Sequence, residues 1–502
     1  MTLRNALLAS LIILTLHSCQ YKNSTAAIEG MWISTEETSA LFNPWADNAA
    51  LLIRRDSTGM WAARGFFLKN NGFKAEWNFN NVQYDPVTES ISLLDEDSDT
   101  LLCRLDVNNE ILIGAIHTQD EKNPLHFIRA GNKLENRLLY PRFPDGSGRT
   151  TYAYSKPVQV NDGLQTGSIY RYTADSTALS GLMKEVIDQK YGKIKSLLIL
   201  KDNKLLAEEY FYDYNAEDLQ QLRSCTKSIT SILLGMVLDR HPDVTTGRSV
   251  FTFFPAYNAF GTAGREKITI DHLLTMTAGY QWDDIPAEMF EADDCIEFIL
   301  SRPLEAEPGE KFNYNSGCSN LLGGIISHIE NTKTQAFADS FLFKPLGITE
   351  YDWETHKDGT LQCGNGLSLR SRDMAKIGLL VLNDGMWQGK RLVSKEWIRE
   401  STRPHVTESP YFNYGYHWWH HSRNNLQWWK EPNAASPDEH DLITALGHGG
   451  QYIMIIRDLN LVVVTTASDF ENGHIARSKI PLAIEGIVPL FEDSKGRESG
   501  LL

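Results

Sequence analysis

Ser224 is the only serine in the chain with a lysine three residues later, Lys227. The segment Arg223-Ser224-Cys225-Thr226-Lys227 runs into the apolar stretch Ile229 to Gly235. That stretch reads as a helix opening at or just after the serine. Residues three apart share a helix face, so the hydroxyl and the amine come within mutual reach. The pair suits acyl transfer, with the serine as nucleophile and the lysine, once neutral, as the base that takes its proton. A lysine ordinarily titrates near ~10.4, so this chemistry calls for burial or a neighbouring cation. The helix start adds a field that favours the alkoxide, and it leaves the Ser224 N–H available to an oxyanion.

Two further segments supply partners. In Pro308-Gly309-Glu310-Lys311-Phe312-Asn313-Tyr314-Asn315-Ser316-Gly317 a tyrosine sits on a turn entering the apolar run Leu321 to Ile326. A phenol there can pass a proton to a leaving group. Farther on, Gly447-His448-Gly449-Gly450-Gln451 leads directly into a strand pattern. Glycines at that point let an acyl substrate lie against the strand edge, where the Gln451 N–H completes an oxyanion hole.

With these three segments the chain resembles the class C β-lactamase superfamily of penicillin-recognising serine hydrolases. That superfamily includes D-alanyl carboxypeptidases, certain esterases and 6-aminohexanoate-oligomer hydrolases. Its S-x-x-K motif matches Ser224 and Lys227, its Tyr-led triplet matches Tyr314-Asn315-Ser316, and its third triplet matches His448-Gly449-Gly450. Connecting text is similar too: His272 to Gly279, Lys344-Pro345-Leu346-Gly347, and Arg372 to Gly378. The resemblance runs from about Ser168 to Leu490, in family order. It implies catalytic roles for Ser224, Lys227 and Tyr314, and substrate or oxyanion contacts for Ser316, His448, Gly449, Gly450 and Gln451. It implies no metal or organic cofactor.

Two departures bear on substrate. Antibiotic-hydrolysing members end the second triplet in asparagine and open the third with lysine; here Ser316 and His448 stand in those places. A histidine is largely neutral at pH 7 unless perturbed, which weakens an anchor for a substrate carboxylate. The expected substrate is therefore a small ester, amide or peptide rather than a β-lactam. The rival readings are a D-Ala-D-Ala carboxypeptidase and a non-catalytic protein of the same fold that binds cell-wall peptide.

The elements that must hold these residues are legible as patterns. Leu179, Leu182, Met183, Val186 and Ile187 repeat at helical spacing. Ser196–Leu200 and Leu205–Phe211 flank a turn at Asp202-Asn203, and Tyr452–Ile456 with Leu461–Thr466 form a second hairpin. Arg372–Leu382 reads as a helix with Ser371 as its N-cap. Strands at both ends with helices between predict an α+β domain, an antiparallel sheet flanked by helices.

Before it, residues 28–140 show short alternating segments such as Ala50–Arg54, Ser90–Leu94 and Glu110–Gly114, separated by turn signals, which predict a small all-β domain. Its opening Glu29-Gly30-Met31-Trp32 resembles the entry strand of lipocalin-like barrels, although a generic β-module fits as well. Residues 141–167, with Pro144-Asp145-Gly146-Ser147-Gly148, read as a linker. The hydrolase domain spans 168–492, and 493–502 form a tail.

Composition narrows the partners. A formal net charge of −16 repels phosphate backbones, and no basic patch offsets it, so nucleic acid is not an expected partner. Arg4 and the apolar run Ala6–Leu16 end in Leu16-His17-Ser18-Cys19, which resembles a bacterial lipoprotein signal. Residues 1–18 are then removed, Cys19 is acylated, and residues 19–27 tether the protein to a membrane facing the periplasm or exterior. The remaining cysteines, 103, 225, 295, 318 and 363, are odd in number and lack metal spacing. Trp418, Trp419, Trp428 and Trp429 around His420-His421 line an acyl pocket or pack a core. The histidine pair lacks a third metal ligand.

Overall fold

The computed structural model describes residues 152–492 except 174–175, 213, 283–285, 410–411, 422–440 and 471. Before them it describes 29–34, 48–55, 60–68, 74–79, 81–85, 88, 90–94, 100–106, 111–116 and 125–129. The predicted signal, Cys19, Trp428 and Trp429 lie outside the described residues. The chain divides into two units at Thr150/Thr151.

In the first unit, nine antiparallel strands between Gly30 and Arg129 follow one another as a meander. Its first strand, Gly30–Ser34, pairs with Asn48–Arg55 on one side and with the last strand, Leu125–Arg129, on the other. Trp32 is buried with Leu51, Ile53, Ile91, Leu93, Leu112 and Phe127. The Arg129 guanidinium lies 4.5 Å from the centre of the Trp32 ring and donates to the Glu29 carbonyl at 2.7 Å.

The second unit is built on a nine-stranded sheet. Its strands are β1 (Gln165–Thr166), β2 (Ile194–Lys201), β3 (Lys204–Tyr210), β4 (Val406–Thr407), β5 (Asn413–Tyr414), β6 (Trp419–His421), β7 (Leu442–Gly447), β8 (Gln451–Ile456) and β9 (Leu461–Ala467). The order is β1-β3-β2-β9-β8-β7-β6-β5-β4. Both expected hairpins are present, and β2 of one pairs with β9 of the other, so residues over 250 positions apart share a ladder. The sheet is mixed rather than purely antiparallel, because β1 runs parallel to β3. Residues 152–167, expected in the linker, lie along this unit: β1 is there, and the Tyr154 hydroxyl donates to the Leu206 carbonyl at 2.8 Å.

Period-2 alternation sends the strand side chains to two cores. Leu198, Leu200, Ile453, Ile455, Val462 and Val464 join one, while Leu197, Ile199, Met454, Ile456, Leu461 and Val463 join the other. Burial on both faces explains why these strands read as continuous apolar runs. Helix α1 (Ser176–Ile187) packs with the C-terminal segment 480–491 on the second core. The first core takes α2 (Cys225–Arg240), α3 (Ser316–Glu330) and α4 (Ser371–Leu382). The expected cap of α4 is corrected here. Arg370 occupies the N-cap position without a side-chain cap, and Ser371 is the first helical residue. The Ser371 hydroxyl is engaged by Ser196 Oγ at 2.7 Å, which ties the helix start to β2 instead.

Candidate active site

Ser224 occupies the N-cap of α2 with helical backbone angles (φ −66°, ψ −7°) and makes no side-chain cap bond. Its hydroxyl is turned instead to Lys227 Nζ, 3.0 Å away. The Ser224 N–H makes no backbone hydrogen bond among the described residues. Arg223, just before it, stands in the left-handed region at φ 51°, which a non-glycine residue occupies at a cost of about 1 kcal/mol or more. Such a backbone swings the chain sharply from the strand Leu219–Gln221 into the helix and leaves the serine at the corner.

Lys227 is 1% exposed. Its Nζ lies 3.0 Å from Ser316 Oγ and 2.7 Å from the Gly364 carbonyl as well as on Ser224. A carbonyl only accepts, so one N–H of the amine is fixed on Gly364. With a second N–H on Ser316, the third position of the nitrogen faces Ser224. In the neutral amine that position is the lone pair, aimed at the serine proton. Gly364 packs closely on Ser316: a Cβ there would meet Ser316 Cβ at 3.0 Å.

The second triplet divides its tasks. Asn315 caps α3 by accepting from the Cys318 N–H at 3.2 Å. Ser316, expected at the substrate, is fully buried and bonded to Lys227. It orients the base from below instead of lining an open pocket. Tyr314 presents its ring to the Lys227 amine, 4.8 Å from Nζ to the ring centre. The ring is stacked on Trp419 at 5.9 Å and meets Tyr414 edge-on at 6.2 Å. Trp419 therefore braces the tyrosine, whereas Trp418 is core.

Beneath Lys227 lies His417, buried, with its Nε2 3.3 Å from Ser319 Oγ and its carbonyl accepting from Ser228 Oγ at 2.6 Å. Burial, and then repulsion from Lys227, push its pKa down to about 3. The ring is neutral at any pH near 7 and adds no charge beside the amine. Cys225 and Cys318 flank the centre as free buried thiols. Burial raises both, Cys318 to about 12, against the pull of Lys227. Neither competes with Ser224 as a nucleophile.

The third triplet forms the β7–β8 turn. Gly447 pairs with Gln451 across it, and the Gly450 N–H donates to the Gly447 carbonyl at 3.3 Å. Strand β6 covers β7 only as far as Thr444, opposite Trp419, so the edge beyond Thr444 has no β6 partner. Gly447 packs on the backbone entering the serine; a Cβ there would sit 2.2 Å from the Leu222 carbonyl. The Gln451 carbonyl accepts from Cys225 Sγ at 3.1 Å, which fastens this strand to the first residue of α2. The Gln451 side chain is occupied by Ala467, donating to its carbonyl at 2.6 Å, so only main-chain atoms of Gln451 are open to a substrate role. His448 is exposed, and its Nε2 lies 3.0 Å from the Phe470 carbonyl. That partner only accepts, so Nε2 carries the proton.

Sequence reasoning found Ser224, Lys227, Tyr314 and the 448–451 turn, and the structure gathers them. It missed Gly364, His417 and Phe470, none of which stands in a motif. Asp294 caps the helix Cys295–Leu300. Among the described residues no group of histidines, cysteines and carboxylates has the geometry of a metal site.

Comparison with known proteins gives a consistent picture. The family profile described as Beta-lactamase matches residues 192–486. A 6-aminohexanoate-dimer hydrolase from Paenarthrobacter ureafaciens is 21% identical over 320 residues, covering 58% of this chain and 77% of that protein. A Salmonella paratyphi B protein, provisionally named a D-alanyl-D-alanine carboxypeptidase, is 24% identical over 196 residues. The match covers 34% of this chain and 45%, under half, of that relative. Among solved structures, one from Bacillus anthracis, provisionally titled a 6-aminohexanoate-dimer hydrolase, superposes with a TM-score of 0.50 at 20% identity. It covers 60% of this chain and 81% of its own, a likeness of fold.

Proposed function

The chain belongs to the beta-lactamase family, and we propose that within it the protein is a serine hydrolase of esters or amides that works through an acyl-Ser224 intermediate. The observation that carries this reading is the Lys227 amine held between Gly364 and Ser316 and directed at Ser224 Oγ. Neutral Lys227 takes the serine proton as Oγ attacks the carbonyl carbon. The oxyanion is received by the Ser224 N–H and by the Gln451 N–H of the turn held to Cys225. Tyr314, whose ring covers the amine, returns the proton to the leaving group, and water then releases the acyl group by the same route. No step calls for a metal or cofactor.

The ester or amide preference is supported by His448, whose Nε2–H is occupied by Phe470. A β-lactamase of this family presents a lysine at that position to the substrate carboxylate. We further propose that residues 1–18 are a signal, that Cys19 carries the lipid anchoring the protein at a bacterial membrane facing the periplasm or cell exterior, and that the first unit is a lipocalin-like module. The last proposal is supported by the pairing of first and last strands and by Arg129 over Trp32. Intact mass spectrometry after treatment with a serine-directed fluorophosphonate tests the central reading. Wild type is expected to gain one adduct and Ser224→Ala none; an adduct that persists on the variant refutes it.

A further inference from the structure

Arg223 carries a guanidinium beside the nucleophile. It forms no ion pair within 4 Å among the described residues, and its Nε is buried without a hydrogen-bond partner. Buried arginine nitrogens in a folded protein are normally paired, because leaving a charged donor unsatisfied costs several kcal/mol. Glu354 acts on Arg223 electrostatically without an ion pair within 4 Å, and Glu354 Oε1 accepts from Gln221 Nε2 at 3.0 Å. What the guanidinium does touch is the Phe470 ring, 5.2 Å from Cζ to the ring centre. The same phenyl group meets the His448 imidazole at 5.5 Å, and Phe470 itself is 37% exposed. Arg223 thus lies on the His448 side of Ser224, held by a left-handed backbone and an aromatic platform, with donors to spare.

We propose, resting on the serine-hydrolase reading above, that Arg223 is the anchor for a carboxylate of the substrate, so that the preferred substrates are esters or amides bearing a carboxylate on a flexible chain. An arginine fits this task because its planar fork meets both carboxylate oxygens at once, and a flat aromatic surface keeps the fork oriented without consuming its N–H donors. In relatives with lysine at the third triplet that cation is a point charge on the strand. Here the charge comes from the residue preceding the nucleophile, against the same Phe470 ring that the exposed histidine meets. Placement there suits a linear chain that bends toward it more than a rigid bicycle whose carboxylate is fixed. A cation next to the nucleophile is also of use in a chain of net charge −16, whose overall field repels anionic substrates.

Two pairs of esters test the assignment on the full chain. Mono-p-nitrophenyl glutarate against its methyl-capped neutral counterpart places the carboxylate in the acyl half. 3-Acetoxybenzoate against its methyl ester places it in the leaving half. The readout is the ratio of kcat/KM, anionic over neutral, within each pair, so any general loss of activity cancels. In at least one pair Arg223→Met is expected to lower that ratio roughly 10- to 100-fold, the worth of a hydrogen-bonded charge contact. Arg223→Lys, which keeps the charge but not the fork, should recover part of it. A ratio unchanged within about twofold in both pairs overturns the anchor. If Arg223→Met does not fold, Arg223→Gln, which keeps a polar side chain without the charge, is read by the same two ratios, and values unchanged within about twofold in both pairs overturn the proposal. Failure of the underlying hydrolase reading looks different, as absence of any phosphonate adduct on Ser224.

Discussion

At the residue scale, the division of labour around Lys227 starts from the Gly364 carbonyl, which can only accept. Gly364 and Ser316 occupy two directions of the nitrogen and leave one for Ser224. At His448 the same logic points the other way. Its Nε2–H is committed to the Phe470 carbonyl, so that N–H is not available to a substrate anion. Wild type is therefore expected to turn over p-nitrophenyl butyrate with a higher kcat/KM than nitrocefin. His448→Lys, which restores a cation at the head of the triplet, should raise the nitrocefin rate relative to the ester rate by roughly tenfold, the lower end for a charged hydrogen bond. Steady-state kinetics with both substrates on both proteins checks this; an unchanged ratio removes His448 from the specificity account. Spacing alone disclosed Ser224 and Lys227, because three residues on a helix fix a shared face. It did not disclose Gly364, whose carbonyl reaches the amine from another part of the chain. Nor did it separate the inward task of Ser316 from a substrate-facing one, since a serine is equally compatible with either.

At the scale of elements, the site depends on a turn, β7–β8, that must stay against the start of α2. Cys225 holds it on one side. On the other, the Asp469 N–H donates to the Gly449 carbonyl at 3.1 Å, and the Asp469 carboxylate receives the Lys193 N–H at 2.8 Å and the Lys479 ammonium. Lys479 is completely buried and Asp469 nearly so. Burial lowers the pKa of Lys479, and Asp469 works against that to keep it charged. Removing only the acid leaves a buried cation unpaired, so Asp469→Asn should cost about 3–5 kcal/mol. The double change Asp469→Asn with Lys479→Met should be clearly milder, since an apolar stem then fills the space. Urea unfolding midpoints of the two variants test it, and a double variant no more stable than the single one contradicts this account of the pair. The hairpins and helices bearing these groups were legible from period-2 and 3.6 repeats. Ser371 was misassigned as a cap because the competing bond to Ser196 comes from a strand 175 residues away, which no local pattern announces.

At the scale of the whole hydrolase unit, two cores on either side of one sheet enclose polar groups that must stay neutral, and this makes the fold sensitive to acid. His417 and His421 are fully buried, and burial pushes each from an ordinary value of 6.5 down to about 3. Lys227 adds to the shift at the first and His420 at the second. In the unfolded chain both rings regain their ordinary affinity for protons. Between about 6.5 and about 3 the unfolded state therefore binds more protons than the folded one, and stability rises with pH across that window. It is fully present above 6.5 and is lost progressively as the pH falls toward 3, by up to about 1.4 kcal/mol per pH unit for each imidazole. Among the described residues the His421 ring makes no hydrogen bond through either nitrogen, and it packs edge-on against Phe412 at 4.9 Å, so it serves as an aromatic filler. His421→Phe keeps that packing and deletes one titrating group. Urea midpoints at pH 7.5, 6 and 5 should show a slope with pH in the wild type that is shallower in the variant. Equal slopes for the two proteins would mean that carboxylates, not these buried rings, govern acid unfolding.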